Sequence, residues 1–318
     1  MSAMSKRIAV LAALPGLLLT ACGGSPTTAE QGSLGSELKG ATFTVGSKDF
    51  TESIILGHIT MDLLRAHGAN VNDKTNIKGS TNTRTALTTG NVDMYWEYTG
   101  TAWVTYLKHT EPMADPAKQY QAVAKEDLDA NKIVWSKPAP LNNTYAFAIR
   151  KEKAAELGVS KLSDLAALVQ NKPNEATFCI ESEFSTRDDG WPGMTKAYGI
   201  QVPKSNVKML DTGLIYSETK KGSTCNFGEV FATDGRIASM GLTVLQDDRK
   251  YFPVYNAALT LRQDTATKYP QIQRFLDPVA AKLDDNTMRQ LNAKVDADGL
   301  EADQVAHEWL VENGFVKK

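Results

Sequence analysis

Between Val92 and Trp103 the chain sets Tyr95, Trp96, Tyr98 and Trp103 among Asp93, Glu97, Thr99 and Thr101, with a single glycine at position 100. This mixture is too polar for an ordinary buried strand and too aromatic for an ordinary loop. It suits the wall of a binding cleft. Val92 to Glu97 predicts a strand that runs into a turn at Thr99-Gly100-Thr101. Tyr98 and Thr101 would then emerge at the end of an open α/β sheet, where such sheets bind their ligands. The competing reading is that the aromatics fill a core, as rings commonly do. Two cations suggest anion binding. Lys48 stands just before a predicted helix start, whose free N–H groups and positive dipole end attract a carboxylate. Arg187, in the polar loop from Glu183 to Gly193, can grip a carboxylate with two parallel bonds. Against these stand a merely solvated lysine, and an arginine paired internally with Asp188, Asp189 or Glu183.

Catalytic machinery is not legible. His58, His67, His109 and His307 have no metal-ligand spacing and no evident nucleophile, and the sequence contains neither a G-x-S-x-G elbow nor a glycine-rich phosphate loop. Asp188-Asp189 and Asp247-Asp248 suit turns better than acid–base work. The reading is therefore of a non-enzyme, with no catalytic residue, no metal and no cofactor.

The elements that must position these residues alternate. Thr42 to Gly46 predicts a strand, and Ser47 to Glu52 a turn into a helix capped by Asp49 or Thr51, with Ile55, Leu56, Ile59, Leu63 and Leu64 at helical spacing. Val71 to Lys78 predicts a second strand, Thr83 to Thr89 a helix, and the aromatic stretch a third strand. Strand and helix in alternation predict a mostly parallel sheet, at one edge of which Lys48, Ser80 and Tyr98 converge. A helix over 117–131 and a strand at Ile133–Trp135 follow. Leu141 to Ile149 reads as a first crossing into a second α/β unit, and Tyr251 to Leu261 as the return. Helices at 269–281, 284–295 and 302–313 would pack back on the first unit. The expected organisation is a signal peptide at 1–22, a flexible tether at 23–41, a first domain of 42–144 with 254–318, and a second of 145–253.

Composition agrees with a folded exported protein. The chain has 318 residues, 42% of them hydrophobic and 23% charged, with a formal charge of -2. No basic stripe supports nucleic-acid binding. Lys6 and Arg7 precede the apolar run Ile8–Leu19, and Leu19-Thr20-Ala21-Cys22 resembles a bacterial lipobox, so Cys22 is the expected lipidation site. The run is too short to span a bilayer comfortably. Cleavage there removes two of 35 basic side chains, leaving 33 against 37 acidic. A lipid anchor would be the chain's sole hold on the outer face of the cell membrane. Of the cysteines, Cys179 and Cys225 remain, and an oxidising compartment makes a bridge between them the expectation.

In order, Gly46-Ser47-Lys48-Asp49-Phe50-Thr51-Glu52, Tyr95-Trp96-Glu97-Tyr98-Thr99-Gly100-Thr101, Asn143-Thr144-Tyr145, Arg187-Asp188-Asp189-Gly190, Phe231-Ala232-Thr233-Asp234-Gly235 and the stretch from Asp247 through Phe252-Pro253 to Tyr255 resemble the glycine betaine, choline and osmoprotectant-binding lipoproteins of ABC importers. The resemblance spans the chain from Thr42. It implies an α/β, two-domain periplasmic-binding-protein-like fold with two crossover segments and a ligand cleft between the domains. It also implies a monomer that passes its solute to a membrane permease powered by a separate ATPase. Carried over motif by motif, an aromatic cage falls on Tyr98, Tyr145, Phe231 and Tyr255, and the polar partners on Lys48, Thr101, Asn143 and Arg187. Phe231 stands where the family commonly has tyrosine, and Asn143 where many relatives have aspartate.

A cage also has its own physical logic. A trimethylammonium group offers no N–H, so the attraction left to the protein is that of aromatic faces for a dispersed cation, roughly 0.5 to 2 kcal/mol per ring. Several rings are needed, and Phe231 keeps its π face. A binding protein of the same fold for an amino acid, a polyamine or a sensory task is the alternative.

Overall fold

The computed structural model describes residues 35–110, 113 and 115–317. The expected signal peptide, Cys22 and most of the expected tether lie outside the described residues. The tether expectation ran too far toward the first strand. Leu38 is 1% exposed within the first core, and its N–H donates to His67 O at 3.0 Å, so the chain is already packed there.

The elements follow in order. β1 (Thr42–Lys48), α1 (Thr51–Ala66), β2 (Asn70–Ile77), α2 (Ser80–Thr88) and β3 (Met94–Tyr98) lead into a single helical turn, α3 (Thr99–Thr101), continued by a π-helical turn over Ala102–Tyr106. α4 (Pro116–Asn131) and β4 (Ile133–Trp135) complete this part. β5 (Tyr145–Arg150), α5 (Lys151–Leu157), α6 (Asp164–Asn171), β6 (Phe178–Ile180), α7 (Trp191–Tyr198), β7 (Val207–Met209), α8 (Thr212–Lys221), β8 (Phe227–Phe231), α9 (Arg236–Ser239) and β9 (Leu242–Val244) form the second unit. The chain returns through β10 (Ala257–Arg262), α10 (Gln263–Lys268), α11 (Gln271–Ala280), α12 (Asp285–Asp296) and α13 (Ala302–Glu312).

Two five-stranded sheets result, in the orders β2-β1-β3-β10-β4 and β7-β6-β8-β5-β9. They share one plan. β1, β2 and β3 run parallel, as do β6, β7 and β8, and the strand adjoining a crossover, β10 or β5, runs antiparallel beside the last of each trio. The sheets are thus mixed, because a strand arriving from the other lobe enters from the cleft end.

Each lobe has its own core. In lobe I, the α1 face of Ile55, Leu56, Ile59, Leu63 and Leu64 packs with Val305, Trp309 and Leu310 of α13. All five residues of β3 are buried, since both faces of the sheet are covered. Trp96 faces the α1 side, where its Nε1 donates to Thr60 Oγ1 at 2.8 Å, and Tyr95 faces the other core with Trp103. Three of the four rings that suggested a cleft wall are therefore core, and only Tyr98, at the strand's end, reaches the cleft. Lobe II packs around Phe147, Phe178, Phe184 and Phe227, and is cross-linked by the Cys179–Cys225 disulfide.

Candidate functional site

The cleft follows from strand ends. The parallel trios deliver Lys48 and Tyr98 at the ends of β1 and β3, and Phe231 at the end of β8, while Tyr145 begins the antiparallel β5. Tyr145 and Phe231 are register partners across that pair, so their side chains share one face. Tyr255 lies on the return crossover, tied to the outward one by Asn143 N–H to Tyr255 O at 3.1 Å and Tyr255 N–H to Asn142 Oδ1 at 2.8 Å. Gly100 is required beneath it. A Cβ there would stand 2.6 Å from Tyr255 Cδ1 and Cε1.

These residues enclose a cavity of about 320 Å³, lined by Lys48, Tyr98, Thr101, Asn143, Tyr145, Phe231 and Tyr255 among others. Phe50 joins them. Its ring stacks on Phe231 at 5.1 Å between centroids and lies 5.7 Å from Tyr98, while Tyr145 stands 5.5 Å from Phe231 and 5.4 Å edge-on to Tyr255. Five rings from both lobes and a crossover thus adjoin one small space. Burial pushes the phenols of Tyr98, Tyr145 and Tyr255 well up, so they stay neutral donors.

Lys48 departs from both of its readings, and Arg187 takes the internal pairing that stood as the alternative to anion binding. Lys48 is not solvated: it is 3% exposed, its Nζ lies 2.6 Å from Glu97 Oε1, and it sits 5.1 Å from the Tyr98 ring centroid. Glu97 in turn accepts from Tyr95 Oη at 2.6 Å and Tyr106 Oη at 2.9 Å. Arg187 is paired internally, with its Nε and Nη2 donating to Asp189 at 2.7 and 2.6 Å and its Nη1 to Glu183 at 2.8 Å. It lies behind the cavity wall, 5.5 Å from the Tyr145 ring centroid. Neither Asp49 nor Thr51 caps α1. Phe50 is the cap residue, without a side-chain bond, and Thr51 Oγ1 donates to Asp296 at 2.7 Å.

The carboxylate at a helix start is found one helix later and comes from the protein itself. Gly79, at φ +82°, turns the chain into α2, and the Ser80 N–H donates across the cleft to Glu183 Oε2 at 2.8 Å. Burial alone would raise Glu183, but Arg187, Lys48 and the Ser80 N–H outweigh it and hold the carboxyl near pKa 2. Glu183 thus links Arg187 to lobe I. Lys78 to Asp211 at 3.1 Å, Tyr255 Oη to Asp189 Oδ2 at 2.6 Å and Thr233 Oγ1 to Glu52 Oε2 at 2.5 Å are further ties across the cleft. The lobes are closed on each other.

A family model described as the substrate binding domain of an ABC-type glycine betaine transport system matches residues 41–312. The chain belongs to this family. The glycine-betaine-binding protein of Pseudomonas aeruginosa is 37% identical over 277 residues, covering 86% of this chain and 88% of the relative. The glycine betaine-binding protein YehZ of Escherichia coli K12 is 34% identical, covering 86% and 91%. Among solved structures, a glycine betaine/carnitine/choline ABC transporter protein aligns with a TM-score of 0.69 at 26% identity, covering 86% of this chain and 99% of the other.

The glycine betaine-system fold places seven of the eight expected residues on the cavity wall and sets Arg187 behind it. Sequence reasoning named Glu183 only as a possible partner of Arg187, and missed Phe50, Glu52, the pairing of Lys48 with Glu97 and the reach of Glu183 to Ser80. Phe50 and Glu52 lie in the same motif as Lys48, and an aromatic beside a helix start was the available signal. For the Ser80–Glu183 bond there was no local signal, because the two residues are 103 apart in the chain.

Proposed function

We propose that this protein is the extracytoplasmic receptor of an ABC importer for quaternary ammonium osmoprotectants such as glycine betaine, choline or carnitine. It closes around the solute and delivers it to a membrane permease driven by a separate ATPase. The observation that carries this reading is the grouping of Phe50, Tyr98, Tyr145, Phe231 and Tyr255 around one cavity of about 320 Å³. A cation without N–H groups is held by such faces. Lys48, Thr101 and Asn143 are the wall residues for the polar end of the solute. A solute carboxylate would share Lys48 with Glu97, and would reach Arg187 only by displacing Glu183.

Residues 42–144 with 254–318, and 145–253, are the two bodies that move about the paired crossovers. A solute touching both bodies favours the closed state because it binds that state better. The protein acts as a monomer, held at the outer face of the membrane by lipid on Cys22. No helix among the described residues is long and apolar enough to cross a membrane. The relatives named above are binding proteins, and turnover is not part of this reading.

Calorimetry with glycine betaine, choline, carnitine and an amino-acid panel tests the proposal. Binding of quaternary amines that is weakened in Tyr98→Ala and Tyr145→Ala supports it. Tight binding of a solute lacking such a group, indifferent to both changes, would overturn it.

A further inference from the structure

Glu52 stands behind Tyr98, off the cavity wall, and is 2% exposed. Three parts of the molecule meet on its carboxyl. Tyr98 of the cavity wall donates to Oε1 at 2.9 Å. Thr233, from the loop after β8 in lobe II, donates to Oε2 at 2.5 Å, and Asn292 of α12 approaches Oε2 at 3.4 Å while donating to Thr233 O at 2.9 Å. We propose that Glu52 is a positioning residue that couples lobe closure to the ligand cage, its carboxyl taking up a proton as lobe II docks on it.

Glu52 holds the hydroxyl of a cage ring on one oxygen and the other lobe on the second, so opening the lobes removes Thr233 and admits water, while closing buries the group. Once neutral, the carboxyl carries its proton on Oε2 and donates it to Thr233 Oγ1 across the same 2.5 Å contact, the hydroxyl then accepting. A carboxylate so enclosed must be neutralised or paired, since burial penalises the charged form. No cation bonds to it among the described residues. Lys48, nearby on the preceding segment, is bound to Glu97 of β3. On the lobe II side the facing charge is Asp234, held by Arg236, which also reaches Asp296 of α12 at 3.5 Å. Burial raises the Glu52 carboxyl to about 7, the three hydrogen bonds oppose that rise, and Asp234 adds to it.

The sign follows. If opening returns Glu52 to its ordinary value of 4.5, closure takes up a proton between there and about 7. The contribution to closure is full below the lower value and is lost as pH rises through the upper one. Within that window affinity should fall by up to about tenfold per pH unit.

This inference rests on the reading of the cleft as a solute site, and the test separates the two. Titration calorimetry of glycine betaine, with choline as a second probe, is run near pH ~6 in buffers of different ionisation enthalpy, where the dependence of heat on buffer counts protons. Wild type is expected to take up close to one proton on binding, Glu52→Gln close to none, with a flattened pH profile. Thr233→Val should weaken binding and lower the uptake. Binding without proton uptake, or equal uptake in Glu52→Gln, would overturn the coupling while leaving the solute site intact. If neither probe binds at any pH, the solute reading fails instead, and scattering of the ligand-free protein from pH ~8 to ~5.5 decides the coupling. Compaction in wild type that is lost in Glu52→Gln supports it, and identical responses overturn it.

Discussion

The two lobes share a strand plan and solve the same problem by different means. Lobe I carries one buried cation at the cleft, Lys48, bridged to a single carboxylate, Glu97. Lobe II carries Arg187, gripped by both Asp189 and Glu183. Lobe I is braced by α12 and α13 packing on α1, and lobe II has the Cys179–Cys225 bridge between β6 and the approach to β8. Two similar halves, each with its own apolar core, can be reinforced by different means, helices packed on helix on one side and a covalent link with a two-carboxylate grip on the other.

The largest expected effect breaks the charge comparison. Glu97→Ala leaves Lys48 buried without its partner and should destabilise by roughly 3 to 5 kcal/mol, since removing one member of a buried pair strands the other. Asp189→Ala should cost less, because Glu183 remains on Arg187. Denaturant midpoints of the two variants, side by side, measure the difference, and equal losses would mean the second carboxylate counts for nothing. Replacing Cys179 and Cys225 together by alanine should cost about 4 kcal/mol by the loop-entropy model. Hydrogen exchange should place that loss in lobe II, and a uniform loss over both lobes would contradict the division drawn here.

A smaller effect is a pH dependence within lobe II. Burial raises the Glu229 carboxyl to about 8, while the Glu181 N–H, at 2.7 Å from Oε2, opposes the rise. The unfolded chain ionises Glu229 near 4.5, so stability associated with the neutral group declines as pH climbs from there and is lost through about 8. Glu229→Gln should therefore resist alkaline unfolding better than wild type, and melting curves at neutral and alkaline pH would show it. The smallest expected change concerns the cage. Tyr145→Ala should weaken quaternary ammonium binding about tenfold, as loss of one ring face implies, while Tyr145→Phe stays within about twofold. Calorimetry that ranks the phenylalanine variant with the alanine one would shift weight from the ring to its hydroxyl.

Much of this architecture was legible in the sequence. The helix at Thr51–Ala66 declared itself by apolar spacing, and its five periodic residues are all buried. The meeting of Lys48 and Tyr98 at one sheet edge followed from the alternation of strand and helix, whereas Phe231 came only from its family motif. The antiparallel courses of β5 and β10 did not, because strand direction depends on which end of the sheet a crossover meets. The aromatic stretch misled in part: Tyr95, Trp96 and Trp103 match Tyr98 in type, and only the pleat and the strand's end distinguish core from cleft.

By itself the sequence determined the kinds of side chain available, their period along each element, the cysteine pair and the motifs that mark the family. Tertiary structure alone decided which charges neutralise each other and which rings share a space. Lys48 and Glu97, Ser80 and Glu183, Glu52 and Thr233 are each pairs far apart in the chain, and burial makes their meeting consequential. Charge in a low-dielectric interior acts through distance, and distance is a property of the folded chain.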